Sequence, residues 1–279
     1  MSASVRPEVF FLPRSVGKRL CIYHPPAGQV RGALVYVHPL AEEMNKSRRM
    51  AALQSRALAA AGMAVLQIDL LGCGDSSGDF GDARWDDWVD DVVAAAAWLQ
   101  QRCSAPLWLW GLRAGCLVAS AAAARLDGPA RLVLWQPSLN GKLVLQQFLR
   151  LKLASQMLDG SGKAALEQAR RELAEGRTVD VAGYALSAAL ADGIERARLQ
   201  VPASAERLEW FELSSRDEAT LAPASVQALA SWQASGCQVR SHLVPGVAFW
   251  QTTEIEEAPA LIAATLGALS TAPVALVPA

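Results

Sequence analysis

PLWLWGLRAGCLV, residues 106–118, is the stretch on which the reading of this chain turns. The apolar run 107–110 has the length and bulk of a buried parallel strand. It stops at Gly111-Leu112-Arg113-Ala114-Gly115, and the small residues of 116–125 then read as a helix. The spacing predicts a strand, a tight turn and a helix. Gly111 and Gly115 stand two places before and two after Arg113, where a Cβ would clash in so tight a turn, and a turn of this kind pushes its central side chain into the open. The residue so presented is an arginine. Always charged at neutral pH, it cannot act as an acyl-accepting nucleophile.

Outward from this turn the chain alternates strands and helices. Residues 8–12 and 18–24 read as an antiparallel hairpin, and 33–37 as a buried strand ending in the polar loop 38–49. A helix over 50–61 is closed by Gly62 as a left-handed cap, and a strand over 64–69 leads into the loop 70–78. These are βαβ units. From 85 to 101 the positions Trp85, Trp88, Val89, Val92, Val93, Ala96 and Leu99 form one face of a helix. Asp86, Asp87, Asp90 and Asp91 sit in its first turns, where they complement the helix dipole; they read as a solvated helix start rather than as metal ligands. A further strand is expected over 131–135. From 139 to 199 there is no strand signal, only helical stretches at 143–157, 163–176 and 184–198. Strands resume at 208–213 and 239–244 around a helix at 223–235. A last helix runs 254–269 with Pro259 near its first turn, and the tail 270–279 is expected to be loose. The organisation is therefore a core of 1–138 and 204–279, with a helical cap, 139–203, over the sheet edge where ligands bind in open α/β folds.

Composition narrows the classes of function. Hydrophobic residues make up 52% and charged ones 19% of 279 residues, which fits a sheet covered on both faces better than disorder. A net charge of −1 argues against nucleic acid as partner. No apolar run is long enough to span a membrane, and the apolar patch at 9–12 is too short for a signal-peptide core, so a cytoplasmic protein is expected. The five cysteines are an odd number, with no C-x-x-C and no histidine spacing suited to zinc. No metal and no cofactor is expected.

The turn at 111–115 resembles the nucleophile elbow of α/β-hydrolases, and the succession of elements resembles that fold: a mostly parallel eight-stranded sheet flanked by helices, with a cap insertion. Within it, HPLAEEMNKSRR (38–49), IDLLGCGDSSGDFGD (68–82), WGLRAG (110–115) and PGVAFWQTTEI (245–255) are similar to the exosortase A-associated hydrolase 2 group. The resemblance implies a bacterial protein from the setting that makes exopolysaccharide and sorts proteins with a PEP-CTERM tail. It places Arg113 at the nucleophile position and Asp217, in the turn after the strand 208–213, at the acid position. The loop expected to carry the base reads Gly246-Val247-Ala248-Phe249-Trp250, without histidine. His38 lies on the oxyanion-hole loop, where it orders the loop rather than catalyses. Pro39 has no N–H, which leaves Leu40 and Ala114 to supply the oxyanion pair.

With neither nucleophile nor base in place, a conventional serine esterase is not expected. Arg113 at a helix N-terminus suits a carboxylate or phosphate, so the first reading is a binding or accessory protein for an acyl or anionic small molecule, with Trp250 lining the pocket. A plain rival is a salt bridge from Arg113 to Asp217 or Glu43, with nothing bound. The alternative function is a non-conventional hydrolase or acyltransferase on an acyl ester or thioester, using water positioned by Asp217 or Glu43; Cys116 and Ser138 are weaker nucleophile candidates. A protein partner or a homodimer is left open.

Overall fold

The computed structural model describes residues 6–154 and 162–270. Eight strands form one sheet: β1 (Glu8–Pro13), β2 (Lys18–His24), β3 (Gly32–Val37), β4 (Met63–Ile68), β5 (Leu107–Leu112), β6 (Ala130–Trp135), β9 (Ala205–Ser214) and β10 (Gln238–Pro245), in the order β1-β2-β4-β3-β5-β6-β9-β10. β1 and β2 pair antiparallel with each other, and β2 with β4; every other pairing in this sheet is parallel. β3 is buried along its whole length, as a central strand covered on both faces must be. Helices α1 (Glu42–Ala60) and α8 (Pro259–Ser270) bury Met50, Leu58 and Leu261 against one face; α2 (Trp85–Arg102), α3 (Gly115–Ala123) and α7 (Pro223–Ala234) pack Val92, Leu117 and Trp232 on the other.

The register brings three strand ends to one edge. Val37 pairs with Gly111, and Leu112 with Trp135, so the chain leaves β3, β5 and β6 side by side. Just beyond those ends lie Ala41, Arg113 and Gln136, three of the four non-glycine residues with positive φ among the described residues. Such conformations cost about 1–3 kcal/mol each and persist only where the surroundings hold them.

Several elements differ from the sequence expectation. α1 begins at Glu42, not at 50, because Glu42 and Glu43 sit in its first turn and favour the positive helix end. The tail 271–279 and Met157 lie outside the described residues. The segment inserted between β6 and β9 is not all helical: α4 (Gly141–Ala154), α5 (Gly162–Ala174) and α6 (Ala188–Arg196) are accompanied by a hairpin, β7 (Val179–Val181) and β8 (Tyr184–Leu186). Its two-residue turn, Ala182-Gly183, has positive φ at both places, the geometry of a type I′ turn. The buried Val179, Val181 and Leu186 fix its inner face. Asp91 is no solvated helix residue either. It is buried, accepts from Arg19 Nε at 2.6 Å and from the Leu71 N–H at 2.9 Å, and so ties the hairpin to the loop after β4. Among the described residues no helix is long and apolar enough to cross a membrane.

Candidate functional site

The turn after β5 is as tight as its glycines require. A Cβ on Gly111 would lie 2.6 Å from the Cys116 Cα, and one on Gly115 would run into the Val37 and His38 carbonyls. Arg113 sits between them at φ +54°. Its backbone is anchored on both sides: its N–H donates to the Trp135 carbonyl at 2.9 Å, and its own carbonyl accepts from the N–H groups of Cys116 and Ser138. The strained turn is thus held by β6 and the start of α3.

The Arg113 side chain meets three elements. Nε donates to Glu43 Oε1 at 3.4 Å, Nη2 donates to Gln147 Oε1 on α4 at 3.1 Å, and the guanidinium carbon lies 5.5 Å from the centre of the Trp250 ring. Both members of the Arg113–Glu43 pair are mostly shielded, at 13% and 15% side-chain exposure, so their attraction is screened less than that of surface ions. Burial raises the Glu43 pKa above the usual carboxylate value; the Arg113 charge opposes that shift without cancelling it. These groups line a cavity of about 390 Å³ together with Leu40, Glu42, Lys46, Ala114 and Ser138, a volume suited to a small molecule. The backbone N–H groups of Leu40 and Ala114 donate to no acceptor within the described residues.

The sequence-derived candidates separate clearly. Leu40, Glu43, Arg113, Ala114 and Trp250 come together around this cavity. His38 does not face it as a free base: its Nδ1 lies 2.8 Å from the Pro39 carbonyl, and Nε2 accepts from the Leu70 N–H at 3.2 Å. These contacts define the tautomer with the proton on Nδ1, and burial lowers its pKa. His38 ties the loop after β3 to the loop after β4. Asp217 is exposed in the turn after β9, outside the cavity lining and without an ion pair to Arg113. Of the two carboxylates the sequence offers for Arg113, Glu43 is the one that pairs with it. The reason lies in the early start of α1, which points Glu43 at the elbow. Cys116 is fully buried, its thiol pushed up by desolvation and directed at the Trp135 carbonyl. His242 is bound to Glu209 at 2.8 Å within the sheet, and burial takes His24 down to about 4. Ser76 and Ser77 accept from backbone N–H groups of β2 and serve the loop's shape.

Gln147, Glu42 and Lys46 were not singled out from the sequence. Gln147 lies 34 residues from Arg113, and only the packing of α4 over the sheet edge brings it there. Glu42 and Lys46 are one turn apart on α1, a spacing that a helix starting at 42 would have revealed.

Solved structures place this architecture. The chain matches a carboxyl esterase from Bacillus coagulans (15% identity, 94% of this chain and 99% of that one, TM-score 0.63) and a monoglyceride lipase from Saccharomyces cerevisiae (13%, 97% and 97%, 0.60). It also matches an α/β serine hydrolase without a lid from Xanthomonas campestris (19%, 94% and 91%, 0.55). At these identities the likeness establishes the fold. No curated protein sequence matches. A family model, described as Serine aminopeptidase, S33, matches residues 28–174, just over half of the chain and inclusive of the elbow. With the eight-stranded sheet, the glycine-flanked turn and this match together, the chain belongs to the serine aminopeptidase S33 family and has the α/β-hydrolase fold.

Proposed function

We propose that this protein binds a small acidic molecule, an acyl carboxylate or a sugar-phosphate-like compound, in the cavity between the sheet edge and the inserted segment, which acts as a cap. The observation that carries the reading is the position of Arg113: a forked cation on the strained turn, in reach of a cavity that also borders the uncommitted Leu40 and Ala114 N–H groups. With arginine at the nucleophile position and no histidine in the loop 246–250, the triad of a serine hydrolase is not assembled. The likeness of 38–49, 68–82, 110–115 and 245–255 to the exosortase A-associated hydrolase 2 group supports an accessory role in an exopolysaccharide and PEP-CTERM sorting system, on the cytoplasmic side. The test is calorimetry with a panel of short carboxylates and phosphate monoesters on the protein and on Arg113→Ala. Saturable binding that the variant weakens supports the reading; affinity equal in both removes it.

A second reading rests on Glu43. A carboxylate with a raised pKa beside two free N–H donors could activate a water against an acyl ester or thioester. A hydrolysis rate above background on an ester and thioester panel, lost in Glu43→Gln and retained in Asp217→Ala, would favour it over binding.

A further inference from the structure

The cavity holds two oppositely charged pairs, and only one is closed. Arg113 and Glu43 form an ion pair. Glu42 and Lys46, one helical turn apart on α1 and both lining the cavity, form none within the described residues. Glu42 Oε2 is shut off from water and has no hydrogen-bond partner. An oxygen left in that condition costs about 1–3 kcal/mol, more when it is charged, and native structures leave few such atoms without a reason. The carboxylate is supported by its own backbone N–H and by the field of Lys46, yet burial still raises its pKa. It lacks a donor. Glu42 lines the cavity, and a change among the staggered rotamers of its side chain turns the carboxyl group into that space, where a donor can reach it.

We propose that Glu42 is a second subsite that takes an ammonium or comparable N–H cation, so that the cavity's ligand is a zwitterion: an acid held at Arg113 and an amine held at Glu42. This rests on the anion-binding reading above and adds the second half of the ligand. A plain acid would leave the Glu42 oxygen without a donor and would bring a negative charge beside Glu42 and Glu43. An amine on the same molecule removes both penalties. Lys46, facing the same space, disfavours an amine without an accompanying acid.

The experiment compares matched pairs that differ in the amine: 4-aminobutyrate with butyrate, and 6-aminohexanoate with hexanoate. Each is titrated calorimetrically into the protein, Glu42→Gln and Arg113→Ala. For at least one length the amino acid is expected to bind about tenfold more tightly than its partner, the worth of a charge-assisted hydrogen bond. Glu42→Gln is expected to erase that difference. Equal or tighter binding of the plain acids at both lengths would overturn the proposal, and so would a preference that persists in Glu42→Gln or no binding by any probe. Arg113→Ala reads the underlying claim separately. If it leaves butyrate and hexanoate affinity unchanged, Arg113 is not the anion anchor, whatever Glu42 does.

Discussion

Among the described residues two places shield a glutamate against arginine, and they are opposites. On β9, Glu209 is fully buried and saturated: Arg207 Nε and Arg240 Nε donate to Oε1 at 2.8 Å, Arg240 Nη2 at 2.6 Å, and His242 closes Oε2 at 2.8 Å. At the elbow, Glu43 has one long contact with Arg113 and the Gln251 amide beside it, its neighbour Glu42 has an orphaned oxygen, and among the described residues two backbone donors are uncommitted beside a cavity. The Glu209 cluster is a closed network joining β9, β10 and the end of α8, with nothing left to offer a ligand. The elbow has the same chemistry left incomplete. Buried charge alone therefore does not mark a site; buried charge with unmet partners and space does.

The comparison breaks most visibly under substitution of the two glutamates. Glu209→Ala takes the carboxylate away from two guanidinium groups that keep only weaker partners such as the Ala268 carbonyl, and a loss of about 3–5 kcal/mol is expected in denaturant unfolding. Glu43→Gln removes one long contact while keeping the side chain's shape and an acceptor for Arg113, and should cost less, about 1–2 kcal/mol. Equal losses would erase the distinction. Next comes Arg113→Ala. Removing one charge-assisted contact should weaken acid binding about ten- to a hundredfold with a stability change far below that of Glu209→Ala; calorimetry and unfolding on the same sample read both.

The pH response has a definite sign. Because the Glu43 pKa is raised in the folded protein, the folded state holds its proton more tightly than the unfolded chain. Its contribution to stability is therefore full below the unfolded carboxylate pKa and is lost as pH rises through the raised folded value. The same proton frees Arg113, so acid affinity should strengthen as pH falls through that value. Glu43→Gln should flatten both profiles, and a variant whose slopes match those of the parent would assign them elsewhere. The smallest effect concerns the strained edge. Ala41, at φ 51° and ψ −123°, occupies a conformation that suits glycine. Ala41→Gly is expected to stabilise by about 0.5–1 kcal/mol in thermal unfolding; a loss would show that the conformation carries no strain.

Much of this arrangement was legible in the sequence because it rests on local geometry. The glycines flanking Arg113 announce the turn, the apolar runs announce the strands, and Leu40, Ala114 and Trp250 follow from the places of their loops. What escaped depends on tertiary packing or on a helix boundary. The polar character of 42–49 reads as loop, yet these residues form the first turns of α1, and that shift decides between Glu43 and Asp217, both offered by the sequence as partners of Arg113, in favour of Glu43. The hairpin of β7 and β8 is too short to show a periodicity, and its turn residues Ala182-Gly183 are weak signals. Asp91 reads as a surface helix charge until Arg19, 72 residues away, is brought to it.

The most direct test of the account is a crystal of the protein soaked with a short carboxylate. The account predicts a carboxylate on the Arg113 guanidinium, within reach of the Leu40 and Ala114 N–H groups, with the Glu43 contact loosened. A cavity holding only water, with Arg113 still bound to Glu43 and Gln147, would contradict it and leave the elbow arginine as an internal salt bridge.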